Sequence, residues 1–143
     1  MAITQGMATS FKVQLLNGGQ NFSSDTFKIA LYTSSATLGE STTAYSATNE
    51  VASTGNYTAG GNTLTVNVTP TSSGNVAYVS FANTSWANAT ITANGALIYN
   101  NSKSNAAVAV LAFGGDKTST DGTFAINFPT ADASSAIIRL TAS

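Results

Sequence analysis

The sequence predicts an all-β fold, a single antiparallel β-sandwich or jelly roll with one short N-terminal helix. Apolar residues alternate with polar ones in seven or eight short segments, the period of a strand with one buried face. Gly, Asn, Asp and Pro stand between those segments at the spacing usual for two-sheet antiparallel domains. A length of 143 residues allows one domain with a sizeable core. Residues 1–9 read as an N-terminal arm and residues 10–143 as the sandwich.

The helix is expected over Phe11 to Leu16. Ser10 stands where a cap is wanted, Phe11 and Leu15 lie one turn apart, and Asn17-Gly18-Gly19 supplies a stop. In 25–33, Phe27, Ile29 and Leu31 share one face. Leu64, Val66 and Val68 repeat the pattern in 63–69, where Pro70 is expected to end the strand. Ala77, Val79 and Phe81 alternate in 76–83. Residues 90–93 and 95–100 read as two strands joined at Asn94-Gly95, a strong hairpin dipeptide. The run AAVAVLAF in 106–113 suits a central strand with both faces covered. Phe124, Ile126 and Phe128 follow Asp121-Gly122 and stop at Pro129, and Ala136, Ile138 and Leu140 alternate in the last segment. The expected core gathers Phe27, Ile29, Leu31, Leu64, Val66, Val79, Phe81, Ile98, Val108, Val110, Phe124, Ile126, Phe128, Ile138 and Leu140. Between the strands, 34–61 is long, rich in Ser, Thr and Ala, and holds Tyr45 and Tyr57 as its aromatics. A loop of that length is usually functional or held by a neighbour.

Composition narrows the function. The chain has no His and no Cys, with 5 Lys+Arg and 6 Asp+Glu. The commonest general base and the usual ligands for transition metals are therefore missing. Against them stand 18 Ser, 22 Thr, 14 Asn and 12 Gly, which suit packing and adhesion better than bond-making. A formal net charge of −1 argues against nucleic acid and against an anionic membrane surface. Charged residues make up 8% of the chain, about a third of the ordinary share. Such a surface can be buried against another protein with little charge to desolvate. The first residues lack a basic stretch and a long apolar run, so synthesis in the cytoplasm without a signal peptide is expected, with no membrane span.

The candidate sites are few. Asp116 and Asp121 in GGDKTSTDG could supply oxygens to a Ca²⁺ ion, but the spacing is not that of an EF-hand, and Gly and Asp are ordinary turn residues. A glycosidase needs two convergent carboxylates, to be drawn from Asp25, Glu40, Glu50, Asp116, Asp121 and Asp132, none of which sits in a motif. A Ser–Lys pair would have to use Lys12, Lys28, Lys103 or Lys117. Trp86, among Asn83, Thr84, Ser85 and Asn88, could stack on a sugar, although a lone Trp in a β domain more often anchors the edge of the core. No catalytic residue, cofactor-binding residue or metal ligand is expected.

Several stretches resemble a family of small structural proteins of tailed bacteriophages: SFKVQLLNGGQNFSSDTFKIALYTSSATL, YTAGGNTLT, ITANGALIYN, AVAVLAFGGDKTSTDGTFAINFPT and AIIRL. The resemblance spans nearly the whole chain and is weakest across 69–82. It implies an all-β virion component, and the reading adopted is a capsid decoration or cement protein. Its partner would be the major capsid protein or another virion protein. The alternative is a tail, neck or fibre component acting as a receptor- or glycan-binding module. A homo-oligomer is expected because the sparse charge leaves broad surfaces that can be buried without stranding ions, with a trimer expected from the habits of viral decoration proteins. The uncharged arm, with Ile3 and Met7, would find its order against a neighbouring chain.

Overall fold

A computed structural model describes residues 2–141. In chain order the elements are β1 (Gly6–Met7), α1 (Thr9–Leu16), β2 (Phe27–Tyr32), β3 (Asn62–Leu64), β4 (Val66–Ser73), β5 (Val76–Phe81), β6 (Thr84–Asn100), β7 (Ala106–Ile126) and β8 (Ile138–Leu140). Five strands form one sheet in the order β1-β7-β6-β2-β3, and three form a second in the order β4-β5-β8. Each pair of neighbouring strands is antiparallel. The molecule is the all-β sandwich with a short N-terminal helix that the patterning predicts.

One core joins the sheets. Phe22 stacks on Phe27 with ring centroids 4.5 Å apart. Phe81, from the small sheet, lies 5.8 Å from Phe27 and 6.1 Å from Phe22. Val79, Phe81 and Ile138 thereby share a cluster with Ile29, Leu31, Leu97, Ile98, Val108 and Val110. Three expected core residues differ. Val66 and Phe128 are half-buried, and Leu140 is exposed because β8 ends there at the margin of the small sheet.

The helix begins earlier than expected, and Ser10 is not its cap. Ala8 occupies the cap without a side-chain bond, and the Ala8 and Thr9 amides donate to the Val108 and Glu40 carbonyls. Ser10 lies inside the first turn, its Oγ buried with no hydrogen-bond partner. The stop is as read: Gly18 adopts φ +79°, and the Gly19 amide donates to the Gln14 carbonyl at 2.7 Å.

The largest departure is a long hairpin. β6 and β7 run 17 and 21 residues and pair from Asn100–Ala106 to Thr84–Ile126. Asn94-Gly95 is therefore not a turn; the strands reverse at 101–105, where Ser104 and Asn105 take positive φ. Gly95 serves close approach instead. A Cβ there would lie 2.6 Å from the Leu111 carbonyl oxygen and 2.7 Å from Ile3 Cγ2. GGDKTSTDG likewise lies within β7 rather than between strands. Residues 113–116 bulge between the Ala93–Lys117 and Gly95–Ala112 pairs, with Gly114 and Gly115 at positive φ. Such bulges bend a strand, dividing β7 into a buried half inside the sheet and a largely exposed half beyond it.

Pro70 does not end its strand either. β4 is an edge strand whose register shifts between Val68 and Thr71, the kind of position at which a missing amide is tolerated. The N-terminal arm is ordered on its own chain. Gly6 and Met7 pair with Val110 and Ala109, and the Thr4 amide donates to the Leu38 carbonyl. Low apolar content does not force this segment onto a neighbour, because the open edge of β7 supplies its hydrogen bonds. Met1, also assigned to the arm, lies outside the described residues.

Candidate functional site

The long loop 34–61 is organised around one carboxylate, and its neighbours tie it to the main sheet. Glu50 Oε1 accepts from Tyr45 Oη at 2.6 Å, while Oε2 accepts from Tyr57 Oη at 2.6 Å and from the Gly60 amide at 2.7 Å. Tyr57 Oη also accepts from the Leu31 amide at 2.8 Å, tying the loop to β2. Tyr99 on β6 donates to the Gly60 carbonyl at 2.7 Å, and its ring stacks on Tyr45 at 4.7 Å. Tyr32 donates to the Ser46 carbonyl at 2.7 Å.

Electrostatics follow from this packing. Burial, with the Glu50 charge acting alongside it, pushes the Tyr99 phenol up to about 12. Tyr32, Tyr45 and Tyr57 are raised further, first by burial and then by Glu50. These phenols remain protonated donors across the physiological range. They act as fasteners for the loop, and nothing in the cluster presents an activated nucleophile.

The remaining sequence candidates are held by their own neighbours. Asp25 Oδ2 accepts from the Asn21 amide and from Asn100 Nδ2, with Lys103 Nζ 3.9 Å from Oδ1. Glu40 pairs with Lys12 at 3.5 Å. Asp116 accepts from Asn94 at 3.0 Å, while the Asp121 amide donates to Thr90 Oγ1 at 3.1 Å. Asp132 caps the Ser134 and Ser135 amides. Among the described residues, no three acids group as a metal site would require. Lys28 Nζ lies beside Gly60, and Lys117 sits in β7 opposite Ala93.

Trp86 anchors the core. Its exposure is 3%, and its ring packs 5.5 Å from Tyr57 and 6.3 Å from Phe124. A sugar cannot stack on it, which removes the platform considered from sequence.

Two surface features were not singled out by sequence. A cleft of about 240 Å³ opens between the end of α1 and the small sheet, lined chiefly by apolar groups including Leu15, Phe22, Pro70, Val79, Ile138 and Leu140. Among the described residues, the large apolar side chains left exposed are Val13, Leu16 and Leu140. Leu140 lines this cleft, and Leu16 directly follows Leu15 in the helix. The second feature is a cup of about 470 Å³ formed largely by the long loop, lined by Thr37, Ser41, Thr42, Thr43, Thr48 and Asn49 together with apolar groups of Tyr32, Ala36, Leu38 and Ala44.

The arrangement therefore holds one polar cluster turned inward and one apolar cleft turned outward. The chain matches no family model, no curated protein and no solved structure.

Proposed function

We propose that this chain is a virion structural protein of a tailed bacteriophage, a capsid decoration or cement protein that binds the assembled shell. The sequence resemblance supports the virion class. The observation that carries a structural rather than chemical role is the fate of the polar groups. Glu50, the acid with the most donors aimed at it, holds a loop in place, while the exposed Leu140 lines an apolar cleft. A protein that binds only the assembled shell stabilises that state by mass action, and many copies on a lattice let modest contacts add up. Synthesis would occur in the host cytoplasm and residence in the virion, with further copies of the same chain as partners. No helix among the described residues is long and apolar enough to cross a membrane.

Quantitative mass spectrometry of purified particles, with antibody labelling in electron micrographs, tests the reading. Many copies distributed over the capsid are expected. Absence from particles, or labelling confined to the tail, would overturn the decoration role.

The second reading is a tail, neck or fibre module that binds a glycan. The hydroxyl-lined cup favours it, since neutral sugars are bound through dense hydroxyl and amide contacts. Glycan-array binding lost on Asn49→Ala would establish this reading, and an array without signal would remove it.

A further inference from the structure

We propose that Asn17, at the C-terminal end of α1, is a self-modification site at which the folded chain converts asparagine to aspartate and isoaspartate. Asn94, which stands in the same dipeptide, is protected by the sheet. The site lies outside the polar cluster, and the inference is independent of the virion reading.

The chain holds two Asn-Gly dipeptides, Asn17-Gly18 and Asn94-Gly95. The same chemistry is open to both. The Gly amide nitrogen gives its proton to water or hydroxide and attacks Cγ of the preceding Asn. A C–N bond forms, the bond from Cγ to Nδ2 breaks, and ammonia leaves with a proton taken from water. Water then opens the five-membered imide at either carbonyl, giving aspartate or isoaspartate. Water is the only co-reactant. Glycine favours the step because it has no Cβ to hinder the approach and its backbone turns freely.

The fold separates the two sites. Asn17 is the C-cap residue of α1, and both it and Gly18 are exposed. The Gly18 amide makes a long bond, 3.4 Å to the Leu15 carbonyl, and nothing lies within 4 Å of a Cβ added at Gly18. Asn17 Oδ1 lies 3.1 Å from the place a Cβ would take on Gly19, so the carboxamide reaches forward along the chain. Among the described residues, no hydrogen bond holds that carboxamide.

Asn94-Gly95 differs at each point. Gly95 is buried between Tyr32 on β2 and Ala112 on β7, and the Leu111 carbonyl and Ile3 crowd it. Asn94 Nδ2 donates to Asp116 Oδ1 at 3.0 Å, which fixes the carboxamide. Turning the Gly95 nitrogen onto Asn94 Cγ requires the sheet to open between three strands. At Asn17 fraying of a helix end is enough.

The product changes the end of α1. A carboxylate would stand where the helix dipole already gathers negative potential. The isoaspartate form also adds a methylene to the main chain, inside the stop that the Gly19 amide closes on the Gln14 carbonyl. Each event makes the chain one unit more negative than its formal −1.

The test ages the purified full chain in mildly alkaline buffer, one sample folded and one in concentrated urea. Peptide mass spectrometry, with fragmentation that separates aspartate from isoaspartate, follows both sites. In the folded chain the peptide holding Asn17 should become one dalton heavier, and Asn17 should convert faster than Asn94 by roughly tenfold or more, the margin between a frayed end and a sheet interior. In urea the two should react at similar rates. Isoelectric focusing should show a new acidic band in the aged folded chain, absent from Asn17→Gln aged alongside it. An Asn17 that stays unconverted while the urea sample reacts would overturn the proposal, as would equal conversion of both sites in the folded chain. A preference for Asn17 just as strong in urea would also overturn it, because the selection would then belong to local sequence and not to the fold.

Discussion

Gly61 is constrained twice over. Its φ of +75° favours glycine, and an added Cβ would run into the Ile29 carbonyl of β2. The loop can return to the sheet beside Tyr57 and Glu50 because the backbone passes this close. Gly61→Ala should destabilise the protein by roughly 3 kcal/mol or more, combining left-handed strain with backbone overlap. A chemical denaturation curve with an unchanged midpoint would contradict that reading. The tyrosines give a second prediction at this scale. Their folded pKa values lie above the unfolded 10, so the native state binds more protons between pH 10 and about 12. Stability is then complete below pH 10 and falls as pH rises, at about 1.4 kcal/mol per pH unit for a fully buried phenol such as Tyr57. Tyrosinate absorbance and Trp86 fluorescence should change together in one alkaline transition, since Trp86 packs on Tyr57. Free titration of these phenols near pH 10 with the fold intact would show that the cluster is open to water.

At the scale of elements, Glu50 braces the loop 34–61 from within, while bonds such as that from the Val51 amide to the Leu31 carbonyl tie it to the sheet. Glu50→Ala removes three acceptor contacts and leaves Tyr57 Oη in a buried site without its acceptor. Hydrogen bonds to charged groups are worth about 1.5–3 kcal/mol each, and their losses overlap when one group makes them all. The expected outcome is a loss of roughly 3 kcal/mol and rapid cleavage within the loop by a non-specific protease. Equal resistance to cleavage would place the fastening elsewhere. Sequence could name this loop as unusual, because length and its two tyrosines are local properties. It could not assemble the cluster, whose members come from β2, the loop and β6. The strands show the same division. β2 and β5 were legible because large apolar residues recur at every second position in each, although Ala30 and Tyr32 bury the other face of β2 as well. The hairpin of β6 and β7 was not, because Gly95, Gly114 and Gly115 carry turn chemistry inside strands. Their reasons are contacts and bulges, such as Ile3 and Leu111 pressing on Gly95, which no local window contains. The arm illustrates the third case. It reads as unstructured alone and acquires order from an edge more than a hundred residues away in the chain. Deleting residues 1–9 should therefore lower the melting temperature by uncovering that edge.

For the molecule as a whole, the question is whether two sheets make one cooperative unit. The small sheet has three strands, and only Val79, Ser80, Phe81 and Ile138 within them are buried. A three-stranded sheet with so little apolar surface of its own gains its stability by docking. The docking is aromatic: Phe81 meets Phe22 and Phe27 on one side and Phe128, at 5.7 Å, on another. Because these rings belong to the same cluster as the centre of the large sheet, opening the small sheet exposes the common core. Native-state hydrogen exchange should accordingly find similar opening free energies for amides of β5 and of the buried halves of β6 and β7. Phe81→Ala should cost roughly 3–5 kcal/mol and fall on both sheets alike. If exchange in β5 became fast while β6 and β7 kept their protection, the small sheet would be a separate folding unit. The aromatic bridge would then be a contact between two bodies rather than the centre of one.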